Sequence, residues 1–244
     1  MGKKSSNAYL FLLRHGRSQG NEDPANYLTK ANWEIDLTQL GQQQARDAGK
    51  FLDAYLAKPE FDGKRTYLWR SPYNRAAQTA KLVDDSIKHR ITKYRTSRHL
   101  REQDFGLFDG LSDEQREEQY PEEWSYYKRQ CGADGRGEIF APIPLGESKA
   151  QVGDRLNFVE DSIFRDVKKG TPIHIMVCHN VVMRMFAMDF LNKDFSWYKQ
   201  EPSPGNCNVR LIERSEEGAI DHGYIYTGKK AEIDAAMKAA PRQL

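Results

Sequence analysis

The sequence is poor in the features that mark the specialised classes of protein. Its 244 residues hold 3 cysteines, Cys131, Cys178 and Cys207, odd in number and far apart, so neither a disulfide framework nor a Cys-x-x-Cys metal pair is indicated. No apolar run approaches the roughly 18 residues of a membrane span, and no signal-peptide core follows Met1. Neither sign of charge dominates. The 37 basic and 35 acidic side chains leave a formal +2, which excludes attraction to nucleic acid or to a membrane surface through bulk charge. Repeats and low-complexity linkers are lacking too. A cytoplasmic chain with reduced thiols is expected, folded as a single domain over 1–244 with a peripheral leader (1–8) and tail (229–244). Any affinity for anions must then be local.

What the chain does have is core material, 39% hydrophobic and 11% aromatic. Tyr9 to Leu13 is an apolar run that ends in Arg14-His15-Gly16, the pattern of a buried strand feeding a polar loop. A loop is expected through Asn32. Thr38 is then placed to cap a helix carrying Leu40, Ala45, Ala48, Phe51, Leu52 and Tyr55. Thr66 to Trp69 reads as a second strand, broken at Ser71-Pro72. Asn74 to Val83 follows as a helix with Arg75 in its first turn, where free backbone N–H groups favour an anion.

Ser112 and Ser148 each open a capping-box sequence. After the second, Val152, Leu156, Val159, Ile163 and Val167 recur at steps of four and three, predicting a helix of about five turns. Pro172 to Cys178 reads as a buried strand that stops at His179-Asn180, with a short apolar helix beyond it. Asn208–Ile212 and Gly223–Tyr226 supply two late strands. The insertion at 107–145 is expected to act as a lid. Its stretch from Asp109 to Glu123 sets seven acidic residues against the single base Arg116, and the Gly- and Pro-rich run from Cys131 to Pro144 reads as a long flexible loop.

Strands alternating with helices imply an α/β three-layer sandwich, a mostly parallel sheet with helices on both faces, whose ligands bind outside the carboxyl ends of the strands. Arg14, His15, Ser71 with Arg75, and His179 all fall at such ends. Guanidinium groups bind phosphate oxygens bidentately, and a neutral imidazole can attack phosphorus. Glu102, in a loop with aromatic neighbours, is the candidate proton donor, because apolar surroundings raise a carboxyl pKa; Asp104 and Asp109 compete for that role. His174 and His179, five apart on one strand, face opposite ways and cannot share a metal, so His174 reads as structural.

Leu13-Arg14-His15-Gly16 with Ser18 and Asn21, Leu37-Thr38 with Gly41, Ser71-Pro72 with Arg75, Gln78 and Thr79, Gly146-Glu147-Ser148, and His179 occur in that order. In these the chain resembles the histidine phosphatase superfamily, which includes cofactor-dependent phosphoglycerate mutases and many phosphomonoesterases. The resemblance implies that His15 is phosphorylated during turnover, that Arg14, Arg75 and His179 form the phosphate pocket, that Glu102 donates the proton, and that no metal is required. It also implies a small-molecule phosphoester as substrate, with Asn21 as a candidate contact; a homodimer stays open. Asn180 stands where glycine is common in the family, and is expected to bond substrate or to cap the following helix.

Arg101-Glu102-Gln103-Asp104-Phe105-Gly106 and Pro204-Gly205-Asn206-Cys207 look like the eukaryotic phosphoglycerate-mutase-like phosphatase branch. A mutase must also hold the second phosphate of 2,3-bisphosphoglycerate, a cofactor needed only in that case. The acidic insertion, with Lys128-Arg129 as its nearby base pair, favours hydrolysis. A pocket that binds phosphate without turnover is the non-enzymatic alternative.

Overall fold

The structure, a computed structural model, describes residues 7–87, 91–229, 231–233 and 235. Most of the expected leader and tail lies outside the described residues. In chain order the elements are β1 (Ala8–Arg14), α1 (Gln19–Glu22), α2 (Asn26–Thr29), α3 (Gln39–Leu56), β2 (Thr66–Arg70), α4 (Asn74–Asp84), β3 (Ile91–Thr96), α5 (Asp113–Gln119), α6 (Pro121–Cys131), α7 (Lys149–Lys168), β4 (Ile173–Cys178), α8 (Asn180–Phe190), α9 (Phe195–Gln200), β5 (Val209–Ser215) and β6 (Gly218–Tyr226). Among the described residues, no helix is long and apolar enough to cross a membrane.

The strands form a six-stranded sheet in the order β3-β2-β4-β1-β5-β6. β3, β2, β4 and β1 run parallel, and β5 and β6 add antiparallel on one side. Alternation along β1 explains how both faces are covered. Leu10 and Leu12 enter a core shared with α7 and α8, while Tyr9, Phe11 and Leu13 enter another shared with α3 and α4. The periodic side chains of α7, from Val152 to Val167, are buried in the first of these cores. Each such burial contributes roughly 1.5–3 kcal/mol. Thr38 caps α3 by accepting from the Gly41 N–H, and Ser112 and Ser148 complete capping boxes with Gln115 and Gln151.

The structure corrects the sequence reading at four places. The expected loop through Asn32 contains the one-turn helices α1 and α2, each too short to show a period. β3 was unforeseen, because this edge strand is exposed at most positions and carries no apolar alternation. Leu40 lies on the helix as expected but is exposed, outside the apolar face. The run from Cys131 to Pro144 is not a free loop. Ile139, Ala141 and Ile143 are buried in it, and Leu107 N–H donates to Pro144 O at 3.0 Å. Phe108, Trp124 and Ile143 give this insertion a small core of its own.

Candidate active site

β1 and β4 are adjacent and parallel, with Arg14 opposite Cys178, so the residues that follow each strand emerge side by side. His15 N–H still donates to Cys178 O at 3.0 Å, and the His15 and His179 ring centroids lie 5.1 Å apart. The turn around Asn206 holds this edge from the other side. Cys207 N–H donates to Arg14 O at 3.1 Å, with Cys207 itself at a φ of 58°, and Asn206 Nδ2 donates to His15 O at 3.1 Å. Gly16 and Gly41 permit the crossing of this loop over α3: a Cβ on either would collide with the other segment's backbone.

His15 is 3% exposed, and its Nδ1 pairs with Gly16 O at 2.7 Å. A carbonyl only accepts, so the proton sits on Nδ1 and leaves the lone pair on Nε2. Arg75 Nε–H donates to that Nε2 at 3.3 Å. Burial and the neighbouring Arg75 and Arg14 hold the His15 pKa well below the usual imidazole range, which keeps the ring neutral. His179, fully buried, pairs through Nε2 with Ser71 Oγ at 2.8 Å, while its buried Nδ1 has no partner among the described residues. Its pKa is likewise pushed well down, by burial first and by Arg75 next.

Arg75, in the first turn of α4, is 2% exposed, and Arg14 donates through Nη1 to Pro204 O at 2.6 Å. The Arg14 Nε has no partner among the described residues. Two positive side chains therefore flank a neutral imidazole, with N–H groups left over for an anion.

Glu102 is 8% exposed, and burial raises its pKa against the opposing pull of the Gln103 N–H. Its Oε1 accepts that N–H at 3.0 Å, and its Oε2 accepts the Val181 N–H at the start of α8 at 3.4 Å. Arg155, buried and paired with Glu147, donates to Glu102 O at 3.1 Å and so fixes the loop. Its two competitors have other attachments. Asp104 accepts the Gly106 N–H at 3.0 Å, and Asp109 accepts from Asn32 Nδ2 at 2.7 Å.

His15, Arg14, Arg75, His179 and Glu102 are thus brought together. Arg75 and Arg14 act electrostatically on both His15 and Glu102. Asn21 has a structural job beside them: its Oδ1 accepts from Ser18 N–H and from Asn206 Nδ2. Asn180 is the first residue of α8 rather than its cap, which is His179, and its buried Oδ1 has no partner among the described residues. The backbone there is helical, so it makes no demand for glycine. Sequence reasoning missed Asn32, which binds Arg75, and Tyr27, whose hydroxyl is raised in pKa by burial and lies in the field of Arg75, Asp109 and Glu102. Nothing local in the sequence signals either.

A family model described as the histidine phosphatase superfamily (branch 1) matches residues 10–222. The chain is 32% identical over 227 residues to the phosphoglycerate mutase-like protein AT74 of Arabidopsis thaliana, covering 87% of this chain and 68% of that protein. It is 28% identical over 189 residues to a 2,3-bisphosphoglycerate-dependent phosphoglycerate mutase of Corynebacterium efficiens, covering 70% of this chain and 71% of the relative. Among solved structures, the α-ribazole phosphatase from Shigella flexneri superposes with a TM-score of 0.67 at 17% identity, covering 88% of this chain and 95% of its own. The mycobacterial glucosyl-3-phosphoglycerate phosphatase gives 0.66 at 17%, covering 89% and 98%. At these identities the superpositions speak to the fold.

Proposed function

Because the chain belongs to branch 1 of the histidine phosphatase superfamily, we propose that it hydrolyses a small phosphomonoester through a phosphohistidine on His15. The observation that carries this reading is the His15 tautomer, with Nδ1 committed to Gly16 O and Nε2 turned toward Arg75. A neutral, fixed Nε2 is a ready nucleophile for phosphorus. Arg14, Arg75 and His179 Nδ1 hold the non-bridging oxygens, and the Arg75 Nε–H moves from His15 to one of them as the substrate enters. As the Nε2–P bond forms, the P–O bond to the alcohol breaks. Glu102, whose pKa burial raises, gives its proton to the departing oxygen. Its carboxylate then takes a proton from the water that attacks phosphohistidine, releasing orthophosphate and restoring both groups. Asn180 Oδ1, without a partner among the described residues at the start of α8, is a candidate acceptor for a hydroxyl on the substrate, with Asn21 Nδ2 a second candidate contact.

Isomerisation of phosphoglycerates is the second reading, supported by the names of the curated relatives. It fits the rim less well. Arg101 is paired with Glu147, and the carboxyls of Asp104 and Asp109 add negative charge where a second phosphate would need cations. Hydrolysis of an aryl phosphate in the presence of chelator, abolished in His15→Ala, is the expected result. An alkali-stable, acid-labile phosphoenzyme should form in the wild type. Turnover of phosphoglycerate only with added bisphosphoglycerate would select the mutase, and binding of phosphate without turnover would select a recognition module.

A further inference from the structure

The guanidinium of Arg75 is held by a residue outside the motifs of the family. Asn32 takes both terminal nitrogens: Nη1 donates to its backbone O at 2.6 Å and Nη2 to its Oδ1 at 2.8 Å. One residue thus occupies the end of the guanidinium, and the Nε side is turned to His15. The amide of Asn32 is oriented in turn, since its Nδ2 donates to Asp109 Oδ2 at 2.7 Å. An asparagine suits this position because one face accepts from a cation while the other donates to a carboxylate.

The backbone around Asn32 is pinned to the same helix. Arg75 N–H donates to Ile35 O at 3.2 Å, Asn74 Nδ2 to Glu34 O at 3.3 Å, and Gln78 Nε2 to Asp36 Oδ1 at 2.9 Å. On the far side, Gly110, at a φ of 74°, packs on Pro24 and Tyr27, and a Cβ there would press on both at 3.0 Å. The insertion therefore meets the segment before α3 at Asp109-Gly110, and this joint ends on Arg75.

The geometry points to Asn32 as a positioning residue that fixes the rotation of the Arg75 guanidinium, with Asp109 acting through it. An untethered arginine offers phosphate the same charge in many orientations; a tethered one presents the Nε side to an oxygen beside His15 without further ordering. The inference rests on the reading of Arg75 as a phosphate arm, so its test carries a readout that does not need turnover.

Orthophosphate affinity by calorimetry and aryl phosphate kinetics are to be measured on Asn32→Ala, Asp109→Ala, the double variant and Asp109→Asn. Deleting a hydrogen bond to a charged group weakens binding by about tenfold or more, so Asn32→Ala should raise both the orthophosphate Kd and KM by about that factor. Asp109→Ala should move both in the same direction by less. Asp109→Asn, which keeps an acceptor for Asn32, should recover most of the loss seen in Asp109→Ala. Because Asp109 acts through Asn32, the double variant should be no worse than Asn32→Ala. An unchanged Kd in Asn32→Ala, or additive defects in the double, would overturn the proposal. Should Asn32→Ala fail to fold, the order of Asp109→Asn over Asp109→Ala decides it, and equality of the two is the negative result. Wild-type protein that binds orthophosphate without hydrolysing the ester sinks the hydrolase reading alone, and the binding arm still judges Asn32.

Discussion

The two ends of β4 carry the same side chain at the same depth and use it differently. At the amino end, His174 is fully buried and fully occupied: Trp69 Nε1–H donates to its Nδ1 at 3.0 Å, and its Nε2 donates to Thr171 O at 3.0 Å. At the carboxyl end, His179 is as buried, yet among the described residues only Nε2 is paired, with Ser71, and Nδ1 is left over. Both rings are kept neutral by burial, His174 with its pKa lowered to about 4. Burial therefore does not tell these two histidines apart. Hydrogen-bonding capacity does: His174 uses both ring nitrogens within the protein, whereas His179 Nδ1 is unpaired among the described residues, which is what the proposed phosphate contact would use.

The sharpest way to break this comparison is to remove each histidine. His179→Ala should lower kcat/KM for an aryl phosphate by about 10³-fold, as expected for loss of a donor aimed at the phosphoryl group. A drop in melting temperature without loss of turnover would put His179 on the structural side with His174.

Acid stability should show the next largest effect. The native His174 pKa lies below its unfolded value, so between them the unfolded chain binds the extra proton. Its contribution is fully present above about pH 6.5 and lost as pH falls through about 4, for roughly 3 kcal/mol in total. His15 and His179 are shifted in the same direction and add to the slope. Denaturant midpoints measured from pH 7 to 4 should fall, and His174→Phe should flatten the curve while keeping turnover. An unaltered slope in that variant would show that His174 is not the sensor.

A smaller and more selective effect is expected at Glu102. Glu102→Gln should slow alkyl phosphates by about 10²-fold and activated aryl phosphates much less, since only the poor leaving group needs the proton. Its activity against pH should also lose the alkaline decline that marks deprotonation of a carboxyl with a raised pKa. Equal slowing of both ester classes would return the acid role to Asp104 or Asp109.

The framework was legible wherever one residue's surroundings are set by its own neighbours in sequence. β1, β4 and α7 announced themselves by runs and periods, and the strand ends then pointed to Arg14, His15 and His179. β3 did not, because an exposed edge strand has no core face to write an alternation. Asn32 and Asp109 were invisible as a pair, being separated by 77 positions and joined only through the packing of the insertion against the segment before α3. The Gly- and Pro-rich run from Cys131 misled in the opposite sense: its composition suggested freedom, but Ile139 and Ile143 anchor it.

β1 and β4 are each laddered on both edges, β1 to β4 and β5, β4 to β1 and β2. In hydrogen-exchange terms, their amides should open only with the sheet as a whole, whereas the loop bearing Glu102, held by Arg155, and the insertion bearing Asp109, with its own small core, should open as smaller units. Loosening by mild denaturant or heat would then strip the pocket in a fixed order, first the parts that bear Glu102 and Asp109, and last the imidazole hung between the two central strands. On the proposed mechanism, a molecule caught midway keeps its nucleophile while losing the groups that complete the cycle, so a phosphoenzyme would outlast turnover.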